Sequence, residues 1–165
     1  MVTFRRAAPE AAEELTALTL ASKAHWGYDQ DFMDLARPSL TVTPEYLEVN
    51  DCLVAEIDGA TVGWFSLVPV PDGLLLGLLL DNFFLLPAHI GSGVGRLMWD
   101  EALRRAEAAG AERMTLEADP NAAGFYERMG ARLTGSVTAP DTGRRLPVYE
   151  VRLIREKGRP GSAGL

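Results

Sequence analysis

Apolar and polar positions alternate from Val2 to Arg6, the period of a half-buried β-strand. The period then changes. Pro9 suits the first turn of a helix, with Glu10, Glu13 and Glu14 near its positive end. Ala11, Leu15, Leu18 and Ser22 recur at spacings of four, three and four, which predicts one packed helical face as far as about Lys23. Gly27 breaks that helix, a second is predicted over residues 29–36, and Pro38 is expected to end it. Thr43-Pro44-Glu45 reads as the start of a further turn through about Leu47. Residues 52–57, a turn at Asp58-Gly59 and residues 61–70 predict a β-hairpin. Pro71-Asp72-Gly73 then turns the chain into a long strand ending at Leu86.

A helix over residues 92–109 follows, with Met98, Ala102, Leu103 and Ala106 inward and the pairs Asp100–Arg104 and Glu101–Arg105 outward. Gly110 is its expected stop. Residues 113–118 predict a strand. Asp119-Pro120 reads as a cap and a first helical proline, so the last helix starts there and stops at Gly130. Residues 131–137 and 147–154 predict two final strands, joined by a turn around Asp141-Thr142-Gly143. Residues 155–165 are polar and glycine-rich and read as a flexible tail. With no internal repeat and no linker, residues 1–154 are expected to form a single domain of mixed α/β class.

Composition narrows the partners. The 165 residues are 47% hydrophobic and 24% charged, ordinary for a globular chain able to bury a real core. A net charge of −7 argues against a nucleic-acid backbone as partner and suits a cationic acceptor such as an amine. The single Cys52 cannot form an intrachain disulfide and reads as a buried strand thiol. The first residues lack an apolar signal region, and the longest apolar stretch, residues 74–80, is far too short to span a bilayer. The expected location is cytoplasmic. Two histidines and one cysteine offer no metal-ligand cluster, so no metal is expected.

The stretch that organises the chain is LLLDNFFLLPAHIGSGVGRLMWDEAL, residues 78–103. An apolar strand ends at Pro87, Gly91, Gly93 and Gly95 follow, and an amphipathic helix begins near Arg96. Strand, glycine turn, helix aims unpaired backbone N–H groups, at the positive end of a helix dipole, toward an anion. This predicts a diphosphate site. A P-loop would need Gly-Lys-Ser/Thr, and here Gly95 precedes Arg96 and Leu97. A dinucleotide fingerprint would need glycine at position 96, although Glu117 mimics its acidic ribose ligand. The unit also comes after four strands, three linked by short turns, where a doubly wound sheet would place it first.

The order β-α-α-β-β-β-α-β-α-β-β resembles the GNAT superfamily of acyl-CoA-dependent N-acetyltransferases. So do L-x-P-x-H-x-G-x-G-x-G before the third helix and GFYERMGA in the fourth. The resemblance is most specific over residues 78–131. Gly93 and Gly95 match the two small positions of the family's Gln/Arg-x-x-Gly-x-Gly/Ala motif, while Ile90 stands where Gln or Arg is usual. That departure removes a side-chain donor but leaves the backbone donors, and Arg96 and His89 are the nearby charges that could replace it.

The resemblance implies strands four and five that splay apart and receive the pantetheine arm of acetyl-CoA. The implied cofactor contacts are Phe84, Leu85 and Leu86 on the strand edge and Ile90, Gly91, Ser92, Gly93, Val94, Gly95 and Arg96 in the loop. Asn121 and Tyr126 complete them. It also implies that Tyr126 sits near the thioester sulfur. A phenol near 10 and a thiol near 8.5 make full proton transfer uphill by roughly 2 kcal/mol, so Tyr126 reads as a hydrogen-bond donor to the departing thiolate. The alternative is a core tyrosine anchoring the last helix.

Freeing a protonated alkylamine at pH 7 costs about 4.6 kcal/mol, so a base is expected. Asp81 interrupts an apolar run and is the leading candidate, ahead of Glu117 and Asp119; pairing with an arginine, or capping, are the structural alternatives. His25, Trp26, Tyr28 and Asp29 concentrate two aromatics, an imidazole and an acid in one loop and could wall an amine, or else plug the core. The expected activity is transfer of acetyl from acetyl-CoA to a primary amine, with a non-catalytic acyl-CoA sensor as the alternative. A homodimer is compatible with this reading.

Overall fold

The computed structural model describes residues 1–72 and 75–153. The chain opens with β1 (Val2–Arg6), a 3-10 turn at Pro9–Ala11, and α1 (Ala12–Ala24). It continues through α2 (Gln30–Leu40), α3 (Pro44–Val49), β2 (Asp51–Ile57), β3 (Ala60–Asp72) and β4 (Leu75–Leu85). A 3-10 turn at Pro87–His89 leads to α4 (Val94–Ala108) and β5 (Arg113–Glu117). Another at Pro120–Ala122 leads to α5 (Ala123–Arg128), β6 (Arg132–Thr138) and β7 (Arg145–Arg152). The turn entering β4 at residues 73–74 and the predicted tail lie outside the described residues, as does the end of the last predicted strand at Ile154.

Seven strands form one mixed sheet in the order β1-β2-β3-β4-β5-β7-β6. Every neighbouring pair is antiparallel except β4 and β5. Strand alternation sends successive side chains to opposite faces, and each face has its own core. Leu53, Ala55, Phe65, Leu67, Leu78 and Leu80 pack with Val94, Met98, Trp99, Ala102 and Ala106 of α4. Cys52, Val54 and Trp64, the interleaved residues, pack with Leu15 and Leu18 of α1 and Leu47 of α3. Fully buried Trp64 donates its indole N–H to Thr19 of α1 at 2.9 Å, so its polar edge is satisfied within that core.

Three local expectations change. α2 runs past Pro38 to Leu40. Proline removes one donor, but so near the helix end it disturbs a single turn. Ser39 and Thr41 close that turn by donating their hydroxyls to the carbonyls of Ala36 and Arg37, while Leu40 is buried beside Met33 and Ala36. The turn at Thr43 grows into α3, so three helices precede β2; the Thr43 hydroxyl accepts from the Tyr46 N–H at 3.1 Å and caps it. The predicted i,i+4 pairs on α4 are replaced. Arg104 pairs with Glu101 one turn back, and Arg105 reaches Asp51 on β2 at 3.0 Å, while Leu103 is only partly buried and Trp99 takes the core.

Two irregularities lie at the sheet centre, one on each edge of β4. β4 and β5 pair only over Gly77–Arg113, Leu78–Met114 and Leu79–Thr115. Beyond that point β4 continues to Leu85 without β5, and β5 stays with β7, Glu117 opposite Val148. On the other edge of β4, Ser66 opposes Asn82 and Leu67 opposes Leu80, so Asp81 is an extra residue in a β-bulge. The two strands part within two residues of that bulge.

Candidate active site

The α4 side of the gap carries the anion-binding geometry. Gly91 and Gly93 adopt left-handed backbone angles, φ +81° and +91°, which an L side chain would strain. Gly93 is the N-cap of α4 and no side chain caps that end. The first intrahelical amide bond runs from Leu97 to the Gly93 carbonyl at 3.3 Å, so the first-turn amides of Val94, Gly95 and Arg96 lie ahead of the ladder. Gly95 is small for another reason than the sequence suggests. A Cβ there would meet the Phe125 ring at 3.3 Å, so this glycine lets α5 close onto α4. Ser92 turns its hydroxyl back onto the His89 carbonyl, and Ile90 and Arg96 are exposed.

The strand edge differs from expectation at Phe84 and Leu86. The Leu86 N–H donates to the Val62 carbonyl at 2.8 Å and is therefore committed to β3. Antiparallel alternation gives Phe84, two residues earlier, the same direction. The N–H and C=O groups of Leu85 and Phe83 face the gap instead. Phe83 was not anticipated; the signal was parity, counted back from the strand's end.

Tyr126 is buried among aromatic rings. Its centroid lies 5.8 Å from Trp99, 6.0 Å from Phe83, 5.2 Å from Phe125 and 6.2 Å from Tyr149. Burial, with the Asp119 charge adding, pushes its phenol well above the ordinary value near 10. Its hydroxyl has no hydrogen-bond partner among the described residues, unlike those of Tyr28 and Tyr46.

On the opposite face, Asp81 is exposed and accepts a hydrogen bond from the Tyr46 hydroxyl of α3. The bulge puts Asp81 and Asn82 both within reach of that hydroxyl, Asn82 Nδ2 donating at 3.1 Å. Ser66 Oγ lies 2.8 Å from it. Burial first, and the bond to Asp81 second, raise the Tyr46 phenol far above its ordinary value. Asp81 thus has a phenolic partner where an arginine was the structural alternative.

Asp119 sits at the other lip, past the end of β5. Its carboxylate accepts from Lys23 Nζ at 2.7 Å and from the Tyr28 hydroxyl at 2.7 Å, and it caps the Asn121 N–H at 2.8 Å. Burial alone would raise its pKa; the Lys23 and Tyr28 bonds outweigh that and hold it below the usual carboxylate range. Tyr28 in turn accepts from Asn121 Nδ2 at 2.8 Å and from Arg144, whose guanidinium lies 4.6 Å over the Tyr28 ring. With its acceptor sites filled and two cations beside it, Asp119 is a poor proton acceptor and a strong clasp between α1, the α1–α2 loop and the β6–β7 turn.

The remaining sequence candidates separate. Asp29 caps α2, accepting from the Phe32 N–H at 2.9 Å. His25 and Trp26 are exposed and pack edge to face on each other at 5.2 Å, with no side-chain hydrogen bond to the Asp119 group among the described residues. Glu117 is exposed at the end of β5. Asn121, implied as a cofactor contact, is engaged with Tyr28 and Asp119. The structure therefore brings together Tyr28, Asp119 and Asn121, and adds Lys23, Arg144, Tyr46, Ser66 and Asn82. Ser66, buried inside the apolar run Trp64–Val68, was the one visible sequence signal among these. No helix among the described residues is long and apolar enough to cross a membrane.

Comparison with known proteins agrees with this geometry. Residues 16–131 match the sequence profile of the acetyltransferase (GNAT) family. The chain is 29% identical over 160 residues to the peptidyl-lysine N-acetyltransferase YjaB of Escherichia coli, covering 93% of this chain and 98% of that one. Its fold is similar to a crystal structure of a GCN5-related N-acetyltransferase from Rhodopseudomonas palustris, with TM-score 0.75 and 22% identity over 92% of this chain and 95% of that one. It is also similar to the PaiA N-acetyltransferase of Thermoplasma acidophilum in complex with coenzyme A, with TM-score 0.72 and 17% identity over 92% and 99%.

Proposed function

The chain belongs to the GNAT acetyltransferase family, and from that premise we propose that it moves an acetyl group from acetyl-CoA to a primary amine by direct attack in a ternary complex. The observation that carries this reading is the parting of β4 from β5 after Leu79 and Thr115. An arm held between the parted strands would lie between two chemically different faces. The glycine turn and Tyr126 lie on the α4–α5 side, and Asp81 lies on the α3 side. Val94, Gly95 and Arg96 would hold the diphosphate with their first-turn amides. Leu85 and Phe83 would present backbone groups to the arm in the gap and to the thioester carbonyl.

Asp81 would take a proton from the incoming ammonium, directly or through water. As the amine nitrogen bonds to the acyl carbon and the C–S bond breaks, the nitrogen gives up its second proton to solvent, the sulfur leaves as a thiolate, and the Tyr126 hydroxyl donates a hydrogen bond to that sulfur. Its raised pKa keeps that proton on the phenol, so Tyr126 acts as a donor and does not surrender the proton. Cys52 is fully buried among the α1–α3 core residues, which favours direct attack over an acyl-enzyme. The YjaB relative acts on peptidyl-lysine, and a lysine side chain is the acceptor we favour. A net charge of −7 is compatible with such a cation.

The test is incubation with acetyl-CoA and a panel of lysine-bearing peptides and small polyamines, following thiol release and acetyl mass gain. Acetylation of at least one primary amine is expected. Calorimetric binding of acetyl-CoA with no turnover on any amine would instead identify an acyl-CoA sensor.

A further inference from the structure

We propose that Tyr46 is a positioning residue that holds the Asp81 carboxylate in one orientation through a one-way chain of hydrogen bonds. The inference rests on Asp81 being the base. The chain can be traced from the donor inventory. Asn82 gives two hydrogens to Ser66 Oγ, from its backbone N at 3.2 Å and its Nδ2 at 2.9 Å. With both lone pairs occupied, the Ser66 hydroxyl must donate, and its partner is Tyr46 Oη at 2.8 Å. Tyr46 Oη also accepts from Asn82 Nδ2 at 3.1 Å. Its own single proton then has one destination, Asp81 Oδ2. Every bond points toward the carboxylate, and each polarises the next.

Ser66 is completely buried in an apolar strand, a placement that costs free energy unless its hydroxyl is used. The two Nδ2 hydrogens of Asn82 are taken by Ser66 and Tyr46, so Oδ2 of Asp81 is held by Tyr46, while Oδ1 has no protein partner among the described residues. One oxygen is fixed and the other is left to receive a proton. The charged and titratable groups that bear on this cluster are Asp81, Tyr46 and the Cys52 thiol, which burial, its largest influence, pushes up to about 12. Both Tyr46 and Cys52 therefore stay neutral at working pH, and the chain keeps one direction.

The experiment compares Tyr46→Phe, Asp81→Asn and the double variant in steady-state assays with acetyl-CoA and a lysine-bearing peptide, alongside thermal melts. Tyr46→Phe keeps the ring and loses the donor. Its kcat should fall roughly 10- to 100-fold, the loss typical of a misplaced catalytic group, with KM for acetyl-CoA unchanged. In the Asp81→Asn background the same change should alter kcat less than about twofold, because no base is left to position. If Asp81→Asn is inactive and Tyr46→Phe keeps wild-type kcat, the positioning role fails and the base assignment stands. A multiplicative loss in the double variant would likewise overturn it, placing Tyr46 elsewhere in the reaction. If Asp81→Asn retains full kcat, or the wild type turns over no amine, the base assignment fails and takes this inference with it.

Discussion

Replacing Tyr126 with phenylalanine separates the two roles a buried tyrosine can have. The ring contacts to Trp99, Phe83, Phe125 and Tyr149 survive the change, so the aromatic packing of α5 is retained. What is lost is a hydroxyl without a protein partner. That oxygen is open to solvent, so water can satisfy it and its removal should change stability by less than about 0.5 kcal/mol. For a chain of this length that is a Tm within about 2 °C of wild type. The rate should not be spared. A hydrogen bond to a charged acceptor contributes about 1.5–3 kcal/mol, and if the acceptor is the departing thiolate, kcat should drop about 10- to 150-fold.

The pH dependence sharpens the test. Burial and the Asp119 charge hold the phenol above its ordinary value, so it remains protonated through pH 6–9. The deficit of Tyr126→Phe should therefore be the same at each pH in that range. Thiol release read with a chromogenic disulfide, beside a melting curve for each protein, is sufficient. A variant with wild-type kcat would refute the thiolate-donor role. A variant that melts several degrees lower would show that the hydroxyl is a structural anchor and that the reasoning about its missing partner is wrong.

Asp119→Asn should destabilise the fold by about 2 kcal/mol at pH 7, since Lys23 at 2.7 Å and Arg144 at 3.8 Å lose their counter-charge. Because the folded pKa is depressed, this stabilisation is present above the unfolded value near 4 and is lost as pH falls through the lower folded value. Urea midpoints of the two proteins should converge progressively as the pH is taken down below the unfolded value. Gly93→Ala, at φ +91°, should cost about 1 kcal/mol and raise KM for acetyl-CoA with kcat preserved. Cys52, its thiol pushed up to about 12 mainly by burial, should resist alkylation in the native protein at pH 8 and become reactive in urea. Deleting Asp81 should remove the bulge and leave Ser66–Asn82 and Leu67–Leu80 paired, so circular dichroism and melting should stay close to wild type while amine acetylation is lost.

How far the sequence reached depends on which interactions are local. Strand alternation at Val2–Arg6, the Asp58-Gly59 turn and the glycine turn before α4 are written in neighbouring residues, and the structure has each of them. Helix lengths are less local. Leu40 becomes buried only once α2 lies beside Leu20, Tyr28 and Phe84, and that packing extends the helix past Pro38. The surface pairs on α4 failed for the same reason, because Asp51 on a distant strand offers Arg105 a partner that i,i+4 spacing cannot reveal.

The bulge at Asp81 is the sharpest case. Period-two alternation from Leu78 and Leu80 puts residue 82 on the α4 side and leaves residue 81 alone opposite. The extra residue breaks that parity, so Asp81 and Asn82 share one face and Phe83 returns to the other core. A sequence reader sees an acid in an apolar run and can ask why it is there. The answer lies in Tyr46 on a short helix and Ser66 on the neighbouring strand, both far from Asp81 along the chain, which no local pattern connects. The same step in register coincides with the loss of β5 as a partner, so one irregularity both brings the Asn82 side chain to the face that Asp81 already occupies and accompanies the end of β4–β5 pairing. Side-chain placement of this kind is set where regular pairing stops, and it is there that strand periodicity ceases to predict side-chain direction.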